Sequence, residues 1–245
     1  MEWFGDNDGV ETWQEVVLVY TAALRQIETK MEILNEEFQH VHQYNPIEHI
    51  KSRIKTPESI VKKLKRHGLE SSIENMVNHV NDIAGIRIIW SFTSDIYRIA
   101  DMIEKQKDIQ VLTVKDYIMF PKTSGYKSYH MIVTVPVYLS DKTVDTKVEI
   151  QIRTVAMDFW ASLEHKIHYK FEGDAPEHIR QELVDCAHLV SDLDEKMLQL
   201  NDEILELSHI QELEREAQEA KERQERIDEI ERRKQEQQAA DPAGA

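Results

Sequence analysis

A six-residue segment, 148–153, constrains the fold more than any other part of the sequence, because its apolar and polar residues alternate. Alternation with period two predicts a β-strand with one buried face. Glu149, Gln151 and Arg153 therefore share the other face of that strand. A carboxylate, an amide and a guanidinium in one row on a rigid element favour a site for a charged substrate over a solvated surface.

The remaining apolar patterns predict helices on either side of a group of strands. Apolar residues at helical spacing predict a long amphipathic helix from about residue 10 to 41, broken at Asn45-Pro46. A helix capped by Ser94 is expected after the first of four strands, which are predicted at 84–92, 111–119, 129–139 and 146–154. Further helices are predicted from 155 to about 170 and from 176 past 207. This order predicts an α/β (α+β) fold with a mixed β-sheet flanked by helices.

Composition limits the classes to which the chain can belong. The formal net charge of −16 argues against broad nucleic-acid binding, which relies on excess lysine and arginine. No apolar run is long enough to span a membrane, and residues 1–6 lack the basic start and apolar core of a signal peptide. The single cysteine, Cys186, excludes a disulfide within the chain. These features predict a cytoplasmic protein.

A basic segment at 51–66 interrupts this acidic composition. Its only acid is Glu58, and such a local cationic patch predicts a pocket for a small polyanion. The cations of the segment are Lys51, Arg53, Lys55, Lys62, Lys63, Lys65 and Arg66.

Within this segment a helix is predicted from its end signals, with Thr56 as N-cap, Pro57 at the first position and Gly68 as the left-handed residue at the end. Ser59, Lys63 and Arg66 are spaced by four and three, so they share one face of that helix. A hydroxyl and two cations near a helix N-terminus would bind a triphosphate, and a solvated helix face is the equally open alternative. Lys62 and Lys65 are expected to be surface lysines.

Residues 82–87 suggest a cation site at the start of a strand. Asp82 stands at the strand entry, where a carboxylate can hold Mg²⁺ together with substrate phosphates. Gly85 permits close approach of a ligand or of another chain segment. The alternative interpretation is a helix or turn cap by Asp82 and an ion pair for Arg87.

A polar loop at 122–130 leads directly into the third predicted strand. Tyr126, beside a glycine, is a candidate for stacking on a nucleobase, or else packs at the sheet edge. His130 either contacts phosphate or forms a hydrogen bond within the core. Glu149 on the neighbouring strand can ligate a metal or accept a proton, and its pairing with Asp82 is what a metal-assisted transfer to a hydroxyl needs.

Five segments in this order resemble the small alarmone synthetases of the RelA/SpoT superfamily, most closely the RelP branch. They are Arg53-x-Lys55 with Ser59, Lys63 and Arg66; Asp82-Ile-Ala-Gly-x-Arg87; Gly125-Tyr126-x-Ser128-Tyr-His130; residues 148–154; and Trp160-Ala-Ser-Leu-Glu-His165 with Tyr169-Lys170. The resemblance implies a nucleotidyltransferase-like fold. It also implies transfer of the β,γ-pyrophosphate of ATP to the 3′-hydroxyl of GDP or GTP, which gives AMP and ppGpp or pppGpp, the alarmones of the stringent response.

The resemblance also assigns roles to individual residues. Arg53 and Arg87 would sandwich adenine, while Asp82 and Glu149 would bind Mg²⁺, with Glu149 also the base on the 3′-hydroxyl. Tyr126 would stack on guanine. The ATP phosphates would be held by Lys55, Ser59, Lys63 and Arg66, and the acceptor would be contacted by Lys115, Lys122, His130 and Gln151.

The family pattern further limits the activity. The chain has no His-Asp dipeptide, the metal-binding mark of the family's hydrolase domain, so synthesis alone is implied. A homotetramer built with the terminal helices is implied as well. The other branch of small synthetases binds alarmone in a central cleft of a tetramer, and the resemblance does not imply activation by product at such a cleft in this chain. The positions that hold phenylalanine, threonine and asparagine in that branch are His49, Lys51 and Asp158 here.

These patterns divide the chain into an oligomerisation helix at 1–45, a catalytic domain at 46–175, C-terminal helices with a charged tail at 176–240 and a disordered end at 241–245. The tail is either an exposed or intermolecular helix, or a solvated and partly frayed one. Two other functions compete with the enzyme: a catalytically silent module that binds guanine nucleotide or single-stranded RNA, and an assembly scaffold. RNA binding is possible on this chain but is not predicted for it.

Overall fold

The computed structural model describes residues 13–42, 46–169 and 175–240, and the chain forms two units, Met1–Glu195 and Lys196–Ala245. Helices and strands alternate only in the middle of the sequence. The elements are α1 (Trp13–His42), β1 (Ile47–Ile54), α2 (Pro57–Arg66), α3 (Ile73–His79), β2 (Ala84–Trp90), α4 (Thr93–Glu104), β3 (Gln110–Asp116), β4 (Tyr129–Tyr138), β5 (Thr143–Thr154), α5 (Val155–Tyr169) and α6 (Glu177–Ala240).

The five strands form one mixed sheet in the order β1-β2-β5-β4-β3. β2 and β5 run parallel, and the other neighbouring pairs are antiparallel. The predicted mixed sheet with flanking helices is therefore confirmed. The prediction of four strands missed β1, because this edge strand is exposed along most of its length and carries too few apolar residues to show a clear alternation.

The main core lies between one face of the sheet and the helices α1 and α4. Ile86, Ile88, Ile150 and Ile152 point to this face, and all are at most 1% exposed. The helices contribute Ala23, Leu24, Ile27, Met31, Ile96, Ile99 and Ile103. Each fully buried aliphatic side chain of this kind stabilises the fold by roughly 1.5–3 kcal/mol.

A second, smaller cluster fixes the 122–130 loop. Trp160 and Ala161 of α5 pack against Ala187 of α6, with Tyr126 at the margin. Gly125 lies beside them with a φ of 86°, and a Cβ atom at this position would lie 2.5 Å from the Cβ of Ala187. Only glycine fits both this backbone conformation and the close approach of α6.

The sequence signals at helix ends predicted the ends of α2 correctly but not the start of α4. Thr56 caps α2, Pro57 is its first residue, and Gly68 adopts a φ of 71° behind it, as predicted. The prediction that Ser94 caps α4 is wrong, because that helix begins at Thr93 and Phe92 occupies the cap position without a side-chain hydrogen bond. The short helix α3 was not predicted.

The charged tail is helical to Ala240, and its side chains from 202 to 224 are exposed. Several predictions fall outside the described residues: the start of the first helix at 10–12, the break at Asn45, the end of α5 at Lys170 and the disorder at 241–245. Within the described ranges, no helix combines the length and apolar character that a membrane crossing requires.

Candidate active site

The sheet face opposite the main core carries a row of polar residues from neighbouring strands. His130 of β4 pairs in register with Gln151 of β5, which pairs with Arg87 of β2. One step along the same face, Glu149 pairs with Gly85, which in turn pairs with Arg53 of β1. Side chains at paired positions point to the same face of a sheet, so four strands bring these groups together.

Gly85 leaves a depression in the middle of this face. The depression has a volume of about 190 Å³. Its lining consists of Lys51, Ser52, Arg53, Gly85, Ile86, Arg87, Glu149 and Gln151. A Cβ atom on Gly85 would lie 4.0 Å from Cγ of Arg53, so the absent side chain leaves the space between the two arginines open.

Glu149 is held from both sides by neighbouring polar groups. Gln151 Nε2 donates to Glu149 Oε2 at 2.8 Å, and His130 Nδ1 lies 3.6 Å from Glu149 Oε1. Burial raises the pKa of Glu149, and the nearby charge of Asp82 also raises it. Hydrogen bonds from His130 and Gln151 outweigh both effects, so the pKa lies below its ordinary value and the carboxylate is ionised at neutral pH.

Asp82 precedes β2 and binds two lysines of the basic segment. Its Oδ2 lies 2.7 Å from Lys55 Nζ, and its Oδ1 lies 2.8 Å from Lys63 Nζ. Burial raises the pKa of Asp82, but the hydrogen bonds and charges of the two lysines lower it further, so the pKa falls below its ordinary value. The alternative in which Asp82 caps a turn finds no support among the hydrogen bonds of this side chain.

Tyr126 joins the polar loop to the strand face. Its Oη lies 2.6 Å from Arg153 Nη2 and 2.9 Å from His130 Nε2. One assignment of hydrogens satisfies all of these contacts: Arg153 donates to the hydroxyl, the hydroxyl donates to Nε2, and the Nδ1–H of His130 faces Glu149.

Cations and aromatic rings surround Tyr126. Lys122 Nζ lies 4.7 Å from the ring centroids of both Tyr117 and Tyr126, and the Arg153 guanidinium lies 5.1 Å from that of Tyr126. The edges of Tyr117 and His130 complete the cluster. A base stacking on the ring face that Lys122 covers would displace this ammonium group.

Arg87 forms an ion pair with Asp158, as the alternative interpretation of this residue predicted, and the pair belongs to a larger network. Asp158 Oδ1, on α5, accepts hydrogen bonds from Arg87 Nη1 at 3.1 Å and from Arg153 Nη1 at 3.0 Å. Burial and the neighbouring Arg153 lower the pKa of Arg87, while Asp158 opposes this shift.

Three other predicted site residues, Lys115, Ser59 and Arg66, have exposed side chains. Lys115 pairs in register with His130 and is exposed on the edge strand. Ser59 is exposed and its hydroxyl contacts the Thr56 cap. Arg66 is also exposed, and it lines a shallow depression with Lys62 and Lys65 instead of sharing the Asp82 contact of Lys63.

Two residues that matter to this geometry were given no site role from the sequence. The alternation at 148–153 already placed Arg153 on the polar face, and this was the available signal. Asp158 carried no local signal, because its partners come from two strands. Among the described residues, no group of three or more His, Cys, Asp or Glu side chains is arranged to hold a metal ion.

The chain is similar to known proteins over most of its length. Residues 52–174 match the family described as the region found in RelA and SpoT proteins. The chain is 48% identical over 195 residues to the GTP pyrophosphokinase YwaC of Bacillus subtilis, a match that covers 80% of this chain and 93% of that protein.

Solved structures show the same similarity. The crystal structure of small alarmone synthetase 2 from Bacillus subtilis superposes with a TM-score of 0.71 at 48% identity, covering 78% of this chain and 99% of that one. Small alarmone synthetase 1 from Bacillus subtilis, bound to its product pppGpp, superposes with a TM-score of 0.73 at 33% identity, covering 78% and 97%. The identity to YwaC, 48%, exceeds the 33% identity to small alarmone synthetase 1, and this difference supports the predicted RelP branch.

Proposed function

The chain belongs to the RelA/SpoT family as a GTP pyrophosphokinase, and we propose how its own residues carry out that reaction. It transfers the β,γ-pyrophosphate of ATP to the 3′-hydroxyl of GDP or GTP, giving AMP and ppGpp or pppGpp. The observation that carries the assignment of roles is the position of Glu149: an ionised carboxylate with a side chain 16% exposed, contacted by His130 and Gln151 and within electrostatic range of Asp82.

Arg53 and Arg87 are proposed to hold adenine. Both line the depression over Gly85, and the space left by the missing side chain suits a flat ring between two guanidinium groups. The Nε of Arg87 is buried and has no hydrogen-bond partner.

Lys55 and Lys63 are proposed to bind the ATP phosphates, with Ser59 and Arg66 farther along α2. In the structure both lysines neutralise Asp82. When triphosphate arrives, each ammonium group can exchange this carboxylate for a phosphate oxygen, so the lysines keep an ionic partner throughout. This exchange also releases the oxygens of Asp82.

Mg²⁺ is the cofactor that the family implies, and Asp82 with Glu149 fits it. Mg²⁺ takes one or two carboxylates and completes its coordination with phosphates and water. The Asp82 charge raises the pKa of Glu149, so the two carboxylates lie within electrostatic range of each other. When bound, the ion would neutralise charge on the transferred phosphates.

Glu149 is proposed to accept the proton of the 3′-hydroxyl. The hydroxyl oxygen forms a bond to the β-phosphorus while the bond between that phosphorus and the oxygen bridging to the α-phosphorus breaks. The proton passes to a Glu149 oxygen, and AMP leaves with the bridging oxygen. Such base assistance contributes ~10²–10⁴-fold in rate.

Tyr126 is proposed to stack on guanine, with Lys122, Lys115 and His130 towards the acceptor's phosphates and Gln151 nearby. Lys122 covers one face of the ring, so a base would stack there by taking the place of this ammonium group. Stacking of this kind is worth ~1–3 kcal/mol per base.

We also propose that the chain forms a homotetramer in the cytoplasm. Phe159, Leu163 and Ile167 are spaced by four on α5, and all three are more than 40% exposed. A second copy of the chain would cover this stripe. The tail from 202 to 224 offers further exposed leucine and isoleucine side chains.

The test of the activity is transfer of label from γ-labelled ATP in the presence of Mg²⁺ and GDP or GTP, followed by thin-layer separation. A labelled guanosine product is expected. Label that stays in ATP across a range of Mg²⁺ concentrations would refute the activity, and tight RNA binding without turnover would favour the silent binding module instead.

A further inference from the structure

Arg153 is a buried arginine that the reaction described above does not use. Only 4% of the residue is exposed, yet it lies on the same strand face as Glu149 and Gln151. An arginine buried to this degree requires partners for its charge and its donors, and their identity indicates what it does.

Two paths of polar contacts lead from Arg153 to the two oxygens of Glu149, one hydrogen-bonded throughout and one ending in the 3.6 Å contact of His130 Nδ1 with Glu149 Oε1. Arg153 Nη2 donates to Gln151 Oε1 at 3.1 Å, and Gln151 in turn donates to Glu149 Oε2. Nη2 also donates to Tyr126 Oη, which contacts His130, whose other ring nitrogen faces Glu149 Oε1. One guanidinium group therefore sets the orientation of the base from both sides.

Asp158 fixes the other end of the guanidinium group. Its Oδ1 accepts from Arg153 Nη1 and from Arg87 Nη1, so one carboxylate ties the base network to the proposed adenine site. Arg153 Nε completes the set with a contact to Ser128 Oγ at 3.3 Å. Two cations and one anion meet here, and the Asp158 carboxylate attracts both guanidinium groups.

We propose that Arg153 and Asp158 are positioning residues: Arg153 orients Glu149 through Gln151 and through Tyr126 and His130, and Asp158 holds Arg153 in register with Arg87. The role rests on the proposed function of Glu149 and Arg87. Neither residue contacts a reacting atom. Lysine cannot replace Arg153, because a single ammonium group cannot supply donors along four directions at once.

The test is a cycle of Arg153→Lys and Glu149→Gln, measured in single turnover at saturating ATP and GDP. Arg153→Lys is expected to lower the rate roughly 10- to 100-fold, as for outer partners of metal ligands. In the Glu149→Gln background the same change is expected to have almost no further effect, because its action passes through Glu149. Equal losses in both backgrounds would show a merely structural role and overturn the proposal.

Asp158→Asn tests whether Asp158 holds Arg153 in register with Arg87, and this change keeps the size of the side chain. It is expected to weaken equilibrium binding of a non-hydrolysable ATP analogue by roughly tenfold, within the range for coupled sites. Unchanged affinity would overturn the link to Arg87. The matched controls are Arg215→Lys and Asp108→Asn, which alter exposed ion pairs outside the site and should leave turnover and binding unchanged.

The proposed function and the positioning role of Arg153 fail in different ways. An unsubstituted chain that neither binds the ATP analogue nor turns over would refute the proposed function and this inference with it. An active chain whose Arg153→Lys loss is the same with and without Glu149 would refute the inference alone. Thermal unfolding of each variant, with a midpoint near that of the unsubstituted chain, establishes that the comparison is made on folded protein.

Discussion

Replacement of Glu149 by glutamine perturbs the reaction at its centre while changing the shape of the site very little. The amide oxygen can still accept from Gln151 Nε2, as the carboxylate does at 2.8 Å. The amide has no negative charge, so it cannot take a proton from the 3′-hydroxyl and is a poor ligand for Mg²⁺. The fold should therefore survive while the chemistry fails.

The expected loss follows from the role of the lost group. General-base assistance contributes ~10²–10⁴-fold, which corresponds to about 3–5 kcal/mol of transition-state stabilisation. Binding of ATP should change little, because the proposed adenine and phosphate contacts come from Arg53, Arg87 and the lysines near Asp82. A fall in kcat with a nearly unchanged affinity for ATP is thus expected.

Single-turnover transfer from γ-labelled ATP, together with equilibrium dialysis of an ATP analogue, measures both quantities. Glu74→Gln, on the exposed side of α3, is the matched control and should behave like the unsubstituted chain. Turnover within threefold of the unsubstituted rate in Glu149→Gln would remove this residue from the mechanism. A large loss of ATP affinity would instead mean that the variant disturbs the donor site.

Three further predictions concern stability and assembly. Gly125→Ala should lower the free energy of unfolding by about 1–3 kcal/mol more than Gly68→Ala, because both positions have positive φ but only Gly125 faces Ala187. Urea unfolding of the two variants measures the difference, and equal losses would show that contact with Ala187 does not matter. The pKa values of Asp82 and Glu149 lie below their ordinary values of 3.8 and 4.5, so both carboxylates stabilise the fold fully above about pH 4.5 and lose this contribution as the pH falls through the lowered native values. When the free energy of unfolding is measured against pH, it should fall less steeply towards acid pH in Asp82→Asn than in the unsubstituted chain. An identical slope would count against the ion pairs of Asp82. Leu163→Glu should reduce the mass measured by sedimentation velocity without loss of helical signal, and an unchanged mass would exclude α5 from the subunit interface.

The strand face was predictable from the sequence because it depends on a local rule. Alternation at 148–153 placed Glu149, Gln151 and Arg153 together, and the structure brings all three to one side of β5. The end signals of α2 are equally local, so Thr56 and Gly68 were interpreted correctly. By contrast, β1 is exposed along most of its length, and no alternation of apolar residues marks it as a strand.

The contacts that complete the site depend on long-range packing and could not be predicted from local spacing. Lys55 and Lys63 meet Asp82 only because β1 and α2 fold back beside the start of β2. Asp158 reaches Arg87 only because α5 returns over the polar face of the sheet. The family resemblance supplied the identity of the nucleotides, which spacing alone did not indicate.

The central claim, transfer of a pyrophosphate group to the 3′-hydroxyl of a guanine nucleotide, is tested most directly by identifying both products. The chain is incubated with Mg²⁺, α-labelled ATP and GDP, and the products are separated and assigned by ³¹P NMR. We expect the label to appear in AMP, in equal amount with a guanosine nucleotide that carries two new phosphorus signals on the 3′ side. Label in ADP, or AMP without the guanosine product, would contradict the account.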